Sequence, residues 1–231
     1  MSLPTSKGTD MEQPDKSRST AGTRGFTLVE LLIVIGILAL IAVALLRNVI
    51  GATETANIAA TRTLIVQLEQ VAESYQANKK FGDYPPDDFK DPTGKVRVKA
   101  DSVNPGIESF LIFVNRRDGR TDYLDENNFI NTDGDSASES LGKLQTLQKY
   151  EIKDVWGNPL AYFHFRHYAE SQGYMPASVD DADGEMQSVQ AWKNAEGRFF
   201  KKGKFQIFSA GPDGIYNTED DVATFPIPRE E

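Results

Sequence analysis

Cysteine is absent from all 231 residues. Disulfides, thiol catalysis and cysteine-ligated zinc are therefore excluded, and the fold must be held by packing or by a metal. Histidine is nearly absent too. His164 and His167 are the only two, and they fall in the run Leu160–Tyr168, whose aromatic content reads as a strand. Residues three apart in a strand face opposite ways, so the pair is not expected to chelate one ion. No Ser/His/Asp signature, phosphate loop or glycine-rich nucleotide fingerprint is present, and the sequence reads as non-enzymatic. Positive charge is scarce as well. The net charge is -9, which argues against nucleic acid as a partner and makes divalent cations acceptable ones.

Long apolar runs are missing except for one. From Thr27 to Leu46 the only polar side chains are Thr27 and Glu30. A helix over that run spans about 30 Å, the thickness of a bilayer's hydrocarbon core. Lys16, Arg18 and Arg24 precede the run, and after Arg47 no base follows until Arg62. This asymmetry places the N-terminus in the cytoplasm and the bulk of the chain outside. Residues 1–25 are polar and cannot bury a core. A secretory signal peptide has a shorter apolar core and a cleavage site after it. Here the processing candidate, Gly25–Phe26, comes before the run, so cleavage leaves the helix on the mature chain. Glu30 is a carboxylate inside apolar sequence, which is costly in lipid and calls for a partner.

Arg24-Gly25-Phe26-Thr27-Leu28-Val29-Glu30 before an apolar helix closely resembles the prepilin peptidase site of type IV pilins and type II secretion pseudopilins. The resemblance implies cleavage after Gly25, an N-methylated Phe26, and a buried acid at Glu30 that pairs with the Phe26 amine of a neighbouring subunit in a helical filament. It implies three segments: a cytoplasmic leader at 1–25, a membrane-spanning and filament-core helix at 26–46, and a periplasmic domain at 47–231. At 25 residues the leader is longer than is common in the family.

After Leu46 the helical pattern turns amphipathic. Leu64, Leu68, Val71 and Tyr75 recur on one face, with Ile65 and Ala72 beside them. The pattern predicts a helix ending near Asn78, before Gly82, Pro85 and Pro86, with Gly36 and Gly51 as candidate bend points. Residues 82–104 read as loop, Gly106–Val114 as a short buried helix, and Leu141–Tyr150 as another helix. Asn131–Ser136 has some calcium-loop character but lacks an EF-hand pattern, and reads as a solvated turn. Residues 169–197 are acidic and without periodicity, and read as an insertion. Arg198–Ser209 reads as a second strand, with a turn or bulge at Lys201-Lys202-Gly203.

Ser209–Val222 is a tight loop carrying Asp213, Asp220 and Asp221. Carboxylates this close repel unless solvated or bridged, and Ca²⁺ accepts six to eight oxygens at about 2.3–2.6 Å. The segment resembles the C-terminal calcium loop of the major pseudopilin of type II secretion, and Asp154-Val155-Trp156-Gly157-Asn158-Pro159 and Tyr84-Pro85 match further landmarks. The resemblance maps acidic calcium ligands onto Asp213, Asp220 and Asp221, and backbone ligands onto Ala210 and Ile215. Stretches 87–150 and 169–197 are longer than a compact major pseudopilin needs.

The expected fold is α+β and pilin-like: a long N-terminal helix whose outer half packs on a small antiparallel sheet, with a C-terminal calcium-type loop. The expected function is structural, a subunit of a type II secretion pseudopilus in the bacterial inner membrane. Its expected partners are further copies of the chain, prepilin peptidase, minor pseudopilins, the inner-membrane assembly platform and membrane lipid. Two other classes fit the same residues: a type IV pilin for adhesion, motility or DNA uptake, and a membrane-tethered binding protein that does not polymerise.

Overall fold

Thr27 opens the first helix. Its carbonyl accepts the first helical bond, from Leu31 N at 3.1 Å, and the helix, α1, then runs Leu28–Ala77 through both Gly36 and Gly51. In this computed structural model the described residues are 26–77, 82–90, 98–100, 102–118, 124, 126–137, 146–177 and 185–229, side chains at 43–50 and 116–118 excepted. The chain divides into two units, Met1–Asn48 and Val49–Glu231.

In the first unit, every described side chain from Phe26 to Ala42 is exposed. Phe26 and Leu28 are each 79 % exposed, and no polar face interrupts the apolar surface beyond Glu30. A helix apolar on all sides is stable only in lipid or inside a larger core. Among the described residues no helix is long and apolar enough to cross a membrane. The expected span Phe26–Leu46 includes side chains at 43–46 that lie outside them.

In the second unit, α1 buries one stripe: Thr61, Ile65, Leu68, Ala72 and Tyr75, with Leu64 and Val71 half-buried at its edge. The face predicted from periodicity is therefore present, rotated slightly towards Ile65 and Ala72. Polar contacts hold this part of α1 to the rest of the unit. Arg62 Nε donates to the Ala223 carbonyl (3.2 Å), Lys204 pairs with Glu73 (2.8 Å), and Lys201 pairs with Glu69, which also accepts from Thr224 Oγ1 (2.6 Å).

The second helix, α2, spans Pro105–Asp118 and contains the buried segment expected at 106–114. Proline at its first position suits the helix start, and Asn104 supplies the carbonyl that receives Glu108 N (3.3 Å). Gly106 is required by packing: a Cβ there would lie 2.0 Å from the Tyr162 carbonyl oxygen.

Among the described residues seven short strands follow, pairing antiparallel. β1 (Phe129–Ile130) pairs with β2 (Glu151–Ile152). β3 (Ala161–His164) pairs with β6 (Phe205–Ser209), and β6 with β7 (Val222–Ala223), giving a three-stranded sheet. β4 (Ser171–Tyr174) pairs with β5 (Gln187–Gln190). β3 and β6 are buried along their whole length, so the sheet is covered on both faces. Aromatic contacts tie the layers: Phe110 to Tyr162 (4.8 Å between ring centres), Phe163 stacked on Phe208 (6.0 Å), and Tyr84 edge-on to Phe205 (4.9 Å).

Several sequence expectations are corrected. The strand expected at 160–168 stops at His164, and Phe165–His167 is a 3-10 turn. The second strand likewise begins only at Phe205, after a turn in which Lys201 and Gly203 have positive φ. Residues 146–150 are not helical: Gln148 bridges Ser136, and the remainder of the helix expected at 141–150 lies outside the described residues. Most of all, the described residues of 169–197, a stretch read as an insertion without periodicity, take part in the main core. They supply β4 and β5, and Tyr174 and Val189 are fully buried in the main core.

Candidate functional site

Two parts of the chain carry the residues singled out from the sequence. The first is the start of α1. Gly25 lies outside the described residues; Phe26 is described and exposed. Thr27 and Glu30 form a reciprocal capping box. Thr27 N and Thr27 Oγ1 both donate to Glu30 Oε2, at 2.9 and 2.8 Å, while Glu30 N donates to Thr27 Oγ1 at 3.2 Å. The carboxylate is thus not wholly without partners in a single chain, as the sequence alone suggested. Both Thr27 donors fall on Oε2, which leaves Oε1 clear of them. An acid in the first turn also complements the helix dipole. The spacing of three between Thr27 and Glu30 is the sequence signal for this box.

The second part is the C-terminal loop, which is held by the turn at 154–158 and by β5. Asp154 organises the turn Asp154–Asn158: Oδ1 accepts from Trp156 N and Asn158 N, both at 2.9 Å. Its Oδ2 accepts from Ser209 Oγ at 2.6 Å, and Ser209 Oγ in turn accepts from Gly211 N at 2.9 Å. Burial raises the Asp154 pKa against these hydrogen bonds. Gly211 has φ +68, and a Cβ there would lie 2.3 Å from the Asp220 carbonyl, so only glycine closes the loop at this point.

β5 grips the loop from its other side. Gln187 Nε2 donates to the Gly214 carbonyl (2.9 Å) and its Oε1 accepts from Tyr216 N (2.9 Å). Gln190 and Asn217 exchange two hydrogen bonds, each 2.9 Å. Sequence reasoning missed this support because Gln187 and Gln190 sit in polar, aperiodic sequence.

Within the loop, Asp213 and Asp220 come together. Asp213 N donates to Asp220 Oδ2 (3.3 Å), and Thr218 Oγ1 contacts both carboxylates. Burial and the neighbouring Asp220 raise the Asp213 pKa. Asp221 turns inward: Oδ2 accepts from Trp192 Nε1 (2.8 Å) and Asn217 N (3.1 Å), while Oδ1 is buried without a hydrogen bond. Burial pushes the Asp221 carboxyl up to about 7. Ala210 is fully buried and Ile215 half-exposed, with the Ile215 carbonyl accepting from Thr218 Oγ1 (3.1 Å). The donor chemistry suits a hard cation, and an orphaned oxygen on Asp221 is compatible with one. Asp213, Asp220 and Asp221 do not, however, gather three mutually close ligand atoms. Among the described residues only Glu108, Asp133 and Glu151 do so.

The two histidines serve a different purpose. Asp87, buried, accepts from His164 N (2.8 Å) and Gln172 Nε2 (3.0 Å) on Oδ2 and pairs with His167 Nδ1 (2.5 Å) on Oδ1. His164 Nε2 contacts Asp83 (3.2 Å). They pin segment 83–88 to the end of β3.

Comparison with curated proteins and with solved structures gives no match. A family model matches at the N-terminus, and it implies prepilin peptidase processing, pilus-type polymerisation and a membrane-anchored N-terminus. At residues 21–46 the chain carries the prokaryotic N-terminal methylation motif, which is characteristic of type IV pilin-like and pseudopilin proteins.

Proposed function

We propose that the chain is a structural, non-enzymatic subunit of a type II secretion pseudopilus. In this reading prepilin peptidase cuts after Gly25 and methylates Phe26, and the subunits then polymerise from the inner membrane to push secreted proteins through the outer membrane. The observation that carries the reading is the exposed, all-round apolar surface of Phe26–Ala42, at the start of α1, with one capped acid near its beginning. Such a surface is satisfied by lipid in the precursor and by sister helices in a filament core. Glu30 Oε1 faces no Thr27 donor, and can take the Phe26 amine of the next subunit. An ion pair in low dielectric is strong, and an unpaired charge there is costly, so cleavage, which creates the amine, also licenses assembly.

The secretion system is favoured over a type IV pilus by the C-terminal loop and the absence of cysteine. Calcium is proposed there, on Asp213, Asp220 and Asp221 with the carbonyls of Ala210 and Ile215, where it would take the place of a C-terminal disulfide. The type IV pilin remains the second reading.

Intact-mass measurement of the mature protein tests processing. The expected N-terminus is methylated Phe26, and an intact leader in cells with active peptidase defeats the proposal. Deleting the gene separates the systems: loss of secreted enzymes from the medium supports the pseudopilus, and loss of twitching or DNA uptake with secretion intact supports the pilus.

A further inference from the structure

Glu108 stands in the first turn of α2, fully buried, and neither of its oxygens has a hydrogen bond. A buried carboxylate without a hydrogen bond on either oxygen is rare and needs an explanation. It lies against Asp133 and Glu151, and one ligand atom from each falls within 4.8 Å of the other two. These residues come from three separate pieces of chain: α2, the loop after β1, and β2. Their meeting is a product of the fold.

The surroundings are acidic. Asp135 lies close by and pairs with Lys149, whose Nζ is 3.6 Å from Glu108 Oε2. Lys149 Nζ is thus shared between Asp135 and Glu108. Glu151, also fully buried, accepts from Asn104 Nδ2 (2.7 Å) on Oε1 and from Thr132 N (3.3 Å) on Oε2. These donors orient it without cancelling its charge. Burial, with Asp135 and Glu151 adding to it, pushes the Glu108 carboxyl up to about 10, and burial pushes Glu151 up to about 7.

We propose that Glu108, Asp133 and Glu151 form a calcium site distinct from the C-terminal loop. The donor set is all oxygen, with neither histidine nor cysteine, which selects a hard cation. Two oxygens on opposite sides of one calcium are about 4.6–5.2 Å apart at ordinary bond lengths, so the three atoms already stand at separations that one ion spans. Magnesium demands shorter bonds and near-octahedral order, for which a helix, a loop and a strand edge are poorly suited. The loop beside the site, Asn131-Thr132-Asp133-Gly134-Asp135, turns at Gly134 with φ +70. It was read from sequence as a solvated turn; Asp133 is instead half-buried and faces two buried glutamates. A bound ion would fasten α2, this loop and β2 together.

The test is calcium titration of the metal-free full-length chain in detergent micelles, read by calorimetry for stoichiometry and by melting temperature, with magnesium run in parallel. Asp133→Asn and Glu108→Gln should each remove one bound calcium, while Asp220→Asn, in the C-terminal loop, should leave this ion in place. Glu108→Gln keeps the side-chain volume but replaces a carboxylate ligand with an amide. It should therefore melt lower than the wild type in calcium, with the gap closing in chelator, and this calcium-dependent difference is not expected of a merely structural residue. If Glu108→Gln does not fold, Asp133→Asn decides, because its side chain is only half-buried. Wild-type stoichiometry and calcium response in Asp133→Asn would overturn the site, as would an equal response to magnesium at equal concentration for the choice of ion. Failure of the C-terminal loop reading would show instead as an unchanged Asp220→Asn.

Discussion

Thr27 and Glu30 hold one another at the start of α1, the threonine giving both its amide and its hydroxyl to a single oxygen of the acid. A neutral threonine can solvate the carboxylate but cannot cancel its charge. The cap therefore makes the precursor tolerable in the membrane without competing with an incoming ammonium. The two substitutions should separate accordingly. Glu30→Ala should be inserted and cleaved normally yet yield few or no filaments. Thr27→Ala should retain filaments, with a frayed first turn and slower assembly. Sheared-filament yield and subunit cross-linking report on both; normal filaments from Glu30→Ala would remove the ion-pair argument.

The buried stripe of α1 predicts a second contrast. Leu68→Ala removes a fully buried side chain between α1 and the sheet and should cost about 2–5 kcal/mol. Val66→Ala, two residues away and 39 % exposed, should cost little. Urea unfolding of the detergent-solubilised chain, followed by tryptophan fluorescence, measures the difference. This stripe was legible from sequence because helical periodicity repeats over many residues, so one misjudged position does not hide the face. β4 and β5 were not legible. Ser171-Gln172-Gly173-Tyr174 and Gln187-Ser188-Val189-Gln190 each offer one large apolar residue, and four residues are too few for a period to emerge. Their strand character comes from pairing with each other and from the pockets that take Tyr174 and Val189. Glu108 was hidden for a related reason: its burial is set by the meeting of three distant segments, which no local pattern records. The Thr27–Glu30 capping box was missed, although its spacing of three is a local signal.

His167 and Asp87 give a pH dependence with a definite sign. The hydrogen bond to Asp87 raises the His167 pKa above its ordinary value, helped by Asp88 and Glu170. A raised folded-state pKa means the native protein binds the proton more tightly than the unfolded chain. The contribution is complete below about pH 6.5, the ordinary histidine value, and is lost as pH rises through the folded-state pKa. His164 runs the other way. Burial lowers its pKa, so it favours the native state more as pH rises through the ordinary value. His167→Gln should therefore destabilise more at pH 6 than at pH 8, and His164→Gln should weaken the acid sensitivity of the wild type. Melting temperatures of the three proteins at both pH values, in one buffer series, check the sign. A His167→Gln penalty independent of pH would show that Asp87 is not held by the charged ring.

Asp154 and Ser209 connect the turn at 154–158 to the C-terminal loop, and their hydrogen bond predicts a coupling between distant parts of the chain. Ser209→Ala leaves Asp154 Oδ2 buried with its 2.6 Å donor gone, and removes the acceptor of Gly211 N. Each loss strands a buried polar group, at about 1–3 kcal/mol. Asp154→Asn keeps the volume but weakens the acceptors of Trp156 N and Asn158 N, so it should destabilise as well. Because both substitutions break the same contact, the double variant should cost clearly less than the sum of the two singles. Calcium should also bind the C-terminal loop more weakly in Ser209→Ala, since Gly211 then loses the tether that brings it against Asp220. Strict additivity of the two substitutions, measured by urea unfolding in chelator, would mean that the turn and the loop fold independently, and that the pairing of these two landmarks is a contact without consequence.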